Sequence, residues 1–216
     1  MYATSSIVFG FHGCDQSVAD YVISEKHPLN SSEQRYDWLG HGIYFWEGSQ
    51  SRALDWANSR PEIAKPAVIG AVINLGNCLD LLDERCIQQV STAHKVLIEE
   101  LKEIGKPPPE NTATDPNGFS LRRELDCAVI MRLHQLNNET ITEELGLKNA
   151  EGKNKRVIQN HPDFLDSVRG MFPEGDQLYN GAGFRASNHI QLCIVNPNCI
   201  LGYFSPQNPN TWYKRF

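Results

Sequence analysis

The segment that most restricts the fold is AVIGAVINL, residues 67–75. Its Val and Ile residues fill both sides of an extended chain, which predicts a buried strand. Four further segments read as strands: SSIVFGF (5–11), GIYFW (42–46), HIQLCIV (189–195) and CILGYF (199–204), the last two joined by the turn NPN. Strands therefore stand at the start, middle and end of the chain without regular βαβ alternation. That order predicts a mixed α+β domain and disfavours a doubly wound sheet.

Helices are expected between these strands. Asp15 is placed to cap a helix whose apolar face holds Val18, Tyr21 and Val22. Ser49 is placed to cap 49–60, where Ala53, Trp56 and Ala57 share a face before Pro61 ends the segment. Residues 88–104 carry the stripe Val90, Leu97, Leu101 and Ile104, and Gly105 with the following prolines stops it. Residues 119–137 read as a further helix. HPLNSSEQRYD (27–37), GKPPPENTATDPNG (105–118) and GMFPEGDQLYNGAGF (170–184) read as loops. KNAEGKNKR (148–156) is locally basic and reads as a solvated face.

The whole chain, 1–216, fits a single domain, with 105–165 as an insertion or lid within it. The net charge of −6 gives no ground for nucleic-acid or membrane binding by bulk charge. Six cysteines, at 14, 78, 86, 127, 193 and 199, form no Cys-x-x-Cys pair and no zinc spacing with histidine, so no metal site is expected. No basic, apolar leader opens the chain, and no run approaches the roughly 20 apolar residues of a membrane span. The expectation is a soluble cytoplasmic protein with reduced thiols and no membrane partner.

Three short islands carry the chemistry. The first is FGFHGC (9–14), where an apolar run meets His12 and Gly13. The second is YDWLGHGIYFW (36–46), where Gly40 and Gly42 precede Tyr44 and a helix with Ser, Ala and Trp follows. The third is Gln191, in the late strand. No G-x-G-x-x-G, P-loop or G-x-S-x-G is present.

Strand-His-Gly-helix, then G-x-G-[IL]-Y-F with its helix, then a polar residue on a late strand, resembles the ADP-ribosyltransferase superfamily. The variant it resembles is the His-Tyr-Glu type of poly(ADP-ribose) polymerases and diphtheria-like toxins. The resemblance implies two small, roughly perpendicular β-sheets flanked by helices, with NAD in the cleft between them. It implies that Gly13 grips the nicotinamide amide through its backbone, that His12 holds the adenosine ribose, and that Tyr44 stacks on the nicotinamide ring. Gly42 belongs to the same cofactor-binding set. The reaction develops positive charge on the ribose, which a carboxylate at the third position stabilises.

The third position here is Gln191, which can bond a ribose hydroxyl but brings no charge. Glu174 is a candidate for a borrowed carboxylate, with Asp176 second. His189, two residues before Gln191 on the same strand face, is a candidate base for an acceptor. Arg52 and Arg169 are candidates for pyrophosphate contacts, and Ser187 for the nicotinamide ribose. Trp38, Trp46 and Trp56 are assigned to packing. The expected function is transfer of one ADP-ribose from NAD to a macromolecular acceptor, protein or nucleic acid. Compact transferases of this kind resemble bacterial toxins of toxin–antitoxin and phage-defence systems, which implies an antitoxin or inhibitor partner. The rival readings are a decayed NAD-binding pseudoenzyme, an NAD glycohydrolase and an RNA 2′-phosphotransferase on the same fold.

Overall fold

The structure, a computed structural model, describes residues 7–114, 118 and 120–207. The Val/Ile segment forms β3 (Pro66–Asn74), which pairs antiparallel with β1 (Ile7–Asp15) on one edge and β9 (Ile200–Phe204) on the other. All of β1, from Ile7 opposite Asn74 to Asp15 opposite Pro66, is held by β3. His12 and Gly13 thus lie inside the strand, and not at its end as the sequence suggested.

The full sheet has seven strands in the order β4 (Cys78–Asp80), β7 (Ser167–Phe172), β8 (His189–Ile194), β2 (Ile43–Glu47), β1, β3, β9. Only the β4–β7 pair is parallel, so the sheet is mixed. A separate two-stranded hairpin, β5 (Asn111–Thr114) and β6 (Ser120–Arg123), completes the strands among the described residues. With five α-helices among the described residues the domain is α+β. In place of two small sheets, one large sheet runs through the molecule. Its narrowest junction is β1–β2, paired only at Gly10 with Glu47 and Phe11 with Trp46.

Two cores flank this sheet because β8 and β2 alternate. Leu192, Ile194, Ile43 and Phe45 point to one face, where Ile69, Ile73 and the α1 residues Ala19 and Val22 complete a cluster. α1 spans Gln16–Ser24, and Asp15 caps it by accepting the Ser17 N–H at 3.0 Å. Cys193 and Val168 point to the other face, against Ala93 of α3 (Glu84–Glu103) and Val129, Ile130 and Leu133 of α4 (Glu124–Glu144). Residues 105–165 therefore supply core as well as surface. α2 (Gln50–Asn58) lies across β1 so closely that a Cβ on Gly13 would collide with the Ala53 carbonyl oxygen.

Candidate functional site

The strand period shows what happens where β1 and β2 part. The Phe9 carbonyl accepts the Gly48 N–H across the seam at 2.8 Å, so the polar edge of Phe9 faces β2. Residues two and four further on, Phe11 and Gly13, share that orientation. Phe11 is in the ladder, opposite Trp46; Gly13 is one step beyond its end. By the same period Tyr44, two residues before Trp46, turns its carbonyl toward β1. That carbonyl is taken by His12, whose Nδ1 lies 2.8 Å away. A carbonyl only accepts, so Nδ1 carries the proton. The imidazole bridges the opening, and by the strand period the N–H and C=O of the next residue, Gly13, are turned toward β2 beyond the end of the ladder.

Burial depresses the His12 pKa below its ordinary value, with the Tyr44 hydrogen bond opposing the shift, so the ring is neutral near pH 7. Its side chain sits on the face of Phe45, ring centroids 5.9 Å apart. Tyr44 and Gln191 point to the opposite face, because Tyr44 pairs with Cys193 and Trp46 with Gln191. The three motif residues therefore lie on the adjacent strands β1, β2 and β8, with His12 on one side and the other two on the other. Tyr44 is half-buried against α4. Its hydroxyl donates to the Gly40 carbonyl at 2.7 Å and accepts the Leu39 N–H at 2.8 Å. Desolvation pushes its pKa well up, so it stays a phenol. Gly42 is explained by packing, since a Cβ there would press on Cys193 Sγ and the Ile194 carbonyl.

On the face of Tyr44 and Gln191 a second group of side chains converges. Arg52 of α2 pairs through Nη2 with Glu174 Oε2. His189 Nδ1 lies 3.7 Å from the same oxygen and donates to the Ser187 carbonyl at 2.7 Å. The Trp46 and His189 ring centroids are 6.4 Å apart, and Trp46 and Trp56 are 5.7 Å apart. Trp56 follows Arg52 by four residues on α2, which closes the ring of side chains. His189 is neutral: desolvation lowers its pKa, with the Ser187 bond and Glu174 opposing. Its Nδ1 proton is fixed by Ser187, so Nε2 offers a lone pair.

Phe172 backs this recess, stacked on His189 at 5.8 Å, and Arg123 lies over both Phe172 and Trp38 at 5.1 and 4.4 Å. Beyond them a cavity of about 340 Å³ opens between α3 and α4. Arg123 and Phe172 have no signal in the sequence that singles them out. Trp46 and Trp56 do more than the packing assigned to them, since they form a wall of the recess.

Not every candidate joins the site. Arg169 is bound to Glu47 at 2.6 Å and Asp80 at 3.0 Å, tying β7 to β2 and β4, on the face away from Gln191. Ser187 meets Glu174 through its backbone, donating to the Glu174 carbonyl at 2.9 Å, which makes it a loop residue at the rim. Asp176 lies further along that loop. Glu144, His161 and Asp163 form a cluster with cation spacing, remote in sequence from the recess. Asp163 N–H donates to His161 Nδ1 at 3.3 Å, while Glu144 faces Nε2 at 3.8 Å. With Nδ1 accepting from Asp163, the proton sits on Nε2 toward Glu144, so His161 links the end of α4 to the loop before β7.

All six cysteines are unpaired. Among the described residues no helix is long and apolar enough to cross a membrane.

The chain is similar to the uncharacterized protein MJ0359 of Methanocaldococcus jannaschii, 24% identical over 209 residues, covering 88% of this chain and 83% of that protein. No family model matches the chain. No solved structure matches it.

Proposed function

We propose that this chain is an NAD-dependent mono-ADP-ribosyltransferase that moves one ADP-ribose from NAD to a protein or nucleic-acid acceptor and releases nicotinamide. The observation that carries this reading is the opened β1–β2 seam, where the ladder stops at Phe11 and His12 caps the Tyr44 carbonyl, and where the strand period turns the Gly13 backbone edge toward the gap. A carboxamide needs one donor and one acceptor side by side, and a glycine edge offers both without a side chain in the way. The seam also divides the sheet into wings of four and three strands, which suits the ADP-ribosyltransferase-like fold with NAD at the division.

In this reading the bond between nicotinamide and the ribose breaks, and its electron pair leaves with nicotinamide. A lone pair of the acceptor then attacks the ribose carbon, and the acceptor's proton passes to His189 Nε2. Gln191 bonds a ribose hydroxyl, and Arg52 meets the diphosphate. Tyr44, with Trp46 and Trp56 beside it, supplies aromatic surface to the nicotinamide end. One observation favours a second reading, an NAD-binding pseudoenzyme: Gln191 is neutral, and Glu174, the carboxylate beside His189, is paired with Arg52.

The test is NAD labelled on its adenine portion, incubated with the protein and with separate protein, RNA and DNA fractions, following both label and nicotinamide. Label on one fraction is the expected result and names the acceptor; free ADP-ribose alone supports a glycohydrolase. Binding without turnover supports the pseudoenzyme. His12→Ala should abolish nicotinamide release with the fold retained, and unchanged release would remove His12 from the site.

A further inference from the structure

The recess on the Gln191 face is built for more hydrogen-bond partners than it holds. His189 is 7% exposed and Trp46 6%, yet His189 Nε2 and Trp46 Nε1 are buried with no partner among the described residues. Arg52 Nε is in the same condition. The Arg52 guanidinium is a fork of donors that matches two oxygens of one group, and Glu174 engages it only through Nη2. Buried polar groups are nearly always satisfied, so the two orphan donors, Arg52 Nε and Trp46 Nε1, mark a place for ligand oxygens, while the lone pair of His189 Nε2 faces a ligand group that brings a proton. The charge is unbalanced in the same sense. Arg123 stands within electrostatic reach of Glu174, so two guanidinium groups flank one carboxylate, although Arg123 also has Asp126 at 3.5 Å.

We infer that Arg52 and Trp46 form a phosphate subsite beside His189, and that Glu174 is its intramolecular occupant, displaced when a diphosphate binds. This deepens the NAD reading and rests on it for the identity of the natural ligand. A phosphate group has the oxygens to complete the Arg52 fork and to accept from Trp46 Nε1, which a single carboxylate oxygen does not. Glu174 sits where it can leave. It opens the loop between β7 and β8, which folds back on itself through Ser187 N–H to the Glu174 carbonyl at 2.9 Å and Leu178 N–H to the Phe184 carbonyl at 3.3 Å. Gly175, directly after it, has φ +86°, a conformation that favours glycine. Displacement also changes what Glu174 can do. Paired with Arg52 its charge is neutralised; released beside His189, it becomes the carboxylate that Gln191 does not provide. The occupant and the missing charge are then one residue in two positions.

The probe is inorganic pyrophosphate, which carries no nucleoside, measured by calorimetry beside NAD. Glu174→Gln should tighten pyrophosphate roughly tenfold, because the ligand no longer competes with a partly buried ion pair. Asp55→Asn, the same charge change at an exposed position of α2, should leave the affinity near that of the unaltered protein. In an Arg52→Ala background the Glu174 effect should vanish. If pyrophosphate does not bind, or if Glu174→Gln leaves it unchanged or weaker, the inference is overturned. The two readings separate cleanly. Tightened pyrophosphate with no NAD binding would keep the subsite and reject NAD. NAD bound equally by both proteins, with pyrophosphate unaffected, would keep NAD and reject the occupant.

Discussion

At the scale of single residues, Tyr44 serves the core through its side chain and the seam through its backbone carbonyl. Its hydroxyl holds the 39–40 turn from both sides, accepting from Leu39 and donating to Gly40. Leu39 is fully buried, so its N–H has no water to fall back on. Tyr44→Phe removes the hydroxyl and keeps the ring. It should cost about 1–3 kcal/mol, the penalty for stranding a buried donor, read as a lower urea midpoint at unchanged slope. In the proposed function NAD binding should survive, because the ring and the backbone carbonyl that meets His12 are both kept. Tyr44→Ala is a poorer probe, since deleting a half-buried ring costs several kcal/mol before any ligand is considered. Gly13 carries a double constraint of the same kind, with α2 pressed on one side and the seam opening at its edge. A midpoint unmoved by Tyr44→Phe would mean the turn is held by its other contacts.

At the scale of elements, α4 is capped from outside itself. Asn111, at the start of β5, accepts the Leu125 and Asp126 N–H groups at 3.0 and 3.2 Å and donates to Asp126 at 2.8 Å. Asn111→Ala should cost about 1–2 kcal/mol, as a lost helix cap does, and hydrogen exchange should speed up in 111–114 and the first turn of α4 together. Faster exchange in the helix alone would show that the hairpin is held elsewhere. This cap also explains where sequence reading stopped. Ser120–Arg123 reads as helix because Leu and Arg suit one, but pairing with Asn111–Thr114 claims it as strand. β3, β2, β8 and β9 were legible because Val, Ile and aromatic residues cluster in each. β4 has three residues, too few for any period, and β7 runs into a glycine-rich loop that hid its last residues. The order of His12, Tyr44 and Gln191 was legible from short motifs. The pairing of Arg52 with Glu174, 122 residues apart, had no local signal and needed the fold.

At the scale of the whole molecule, acid should act at three interior points at once. His12 stands at the seam, His189 in the recess, and His134 among the buried residues of α4. Burial lowers the pKa of each. His134 is the clearest case: desolvation takes it from 6.5 to about 4, and its Nε2 has no partner among the described residues. Below about pH 6.5 the unfolded chain binds a proton that folded His134 refuses, so the unfolded state gains. Stability therefore falls as pH drops from about 6.5 toward 4, by up to about 1.4 kcal/mol per pH unit for each such histidine. The half-buried Asp15 works in the same sense lower down. Its folded pKa is held at about 2 by the Lys65 and Ser17 bonds, so its support is lost only as pH falls below about 4. The window between pH 6.5 and 4.5 belongs to the histidines. Urea midpoints at pH 7.5, 6 and 4.5 should fall steadily. His134→Leu should flatten the decline by about one histidine's share even if it lowers the midpoint at pH 7.5, since it removes the titrating group whatever it does to packing. A decline equally steep in His134→Leu would assign the acid sensitivity to His12 and His189. In the proposed function, NAD at saturation should then flatten it instead, because NAD binds only the folded chain and its diphosphate beside His189 favours the charged ring that burial disfavours.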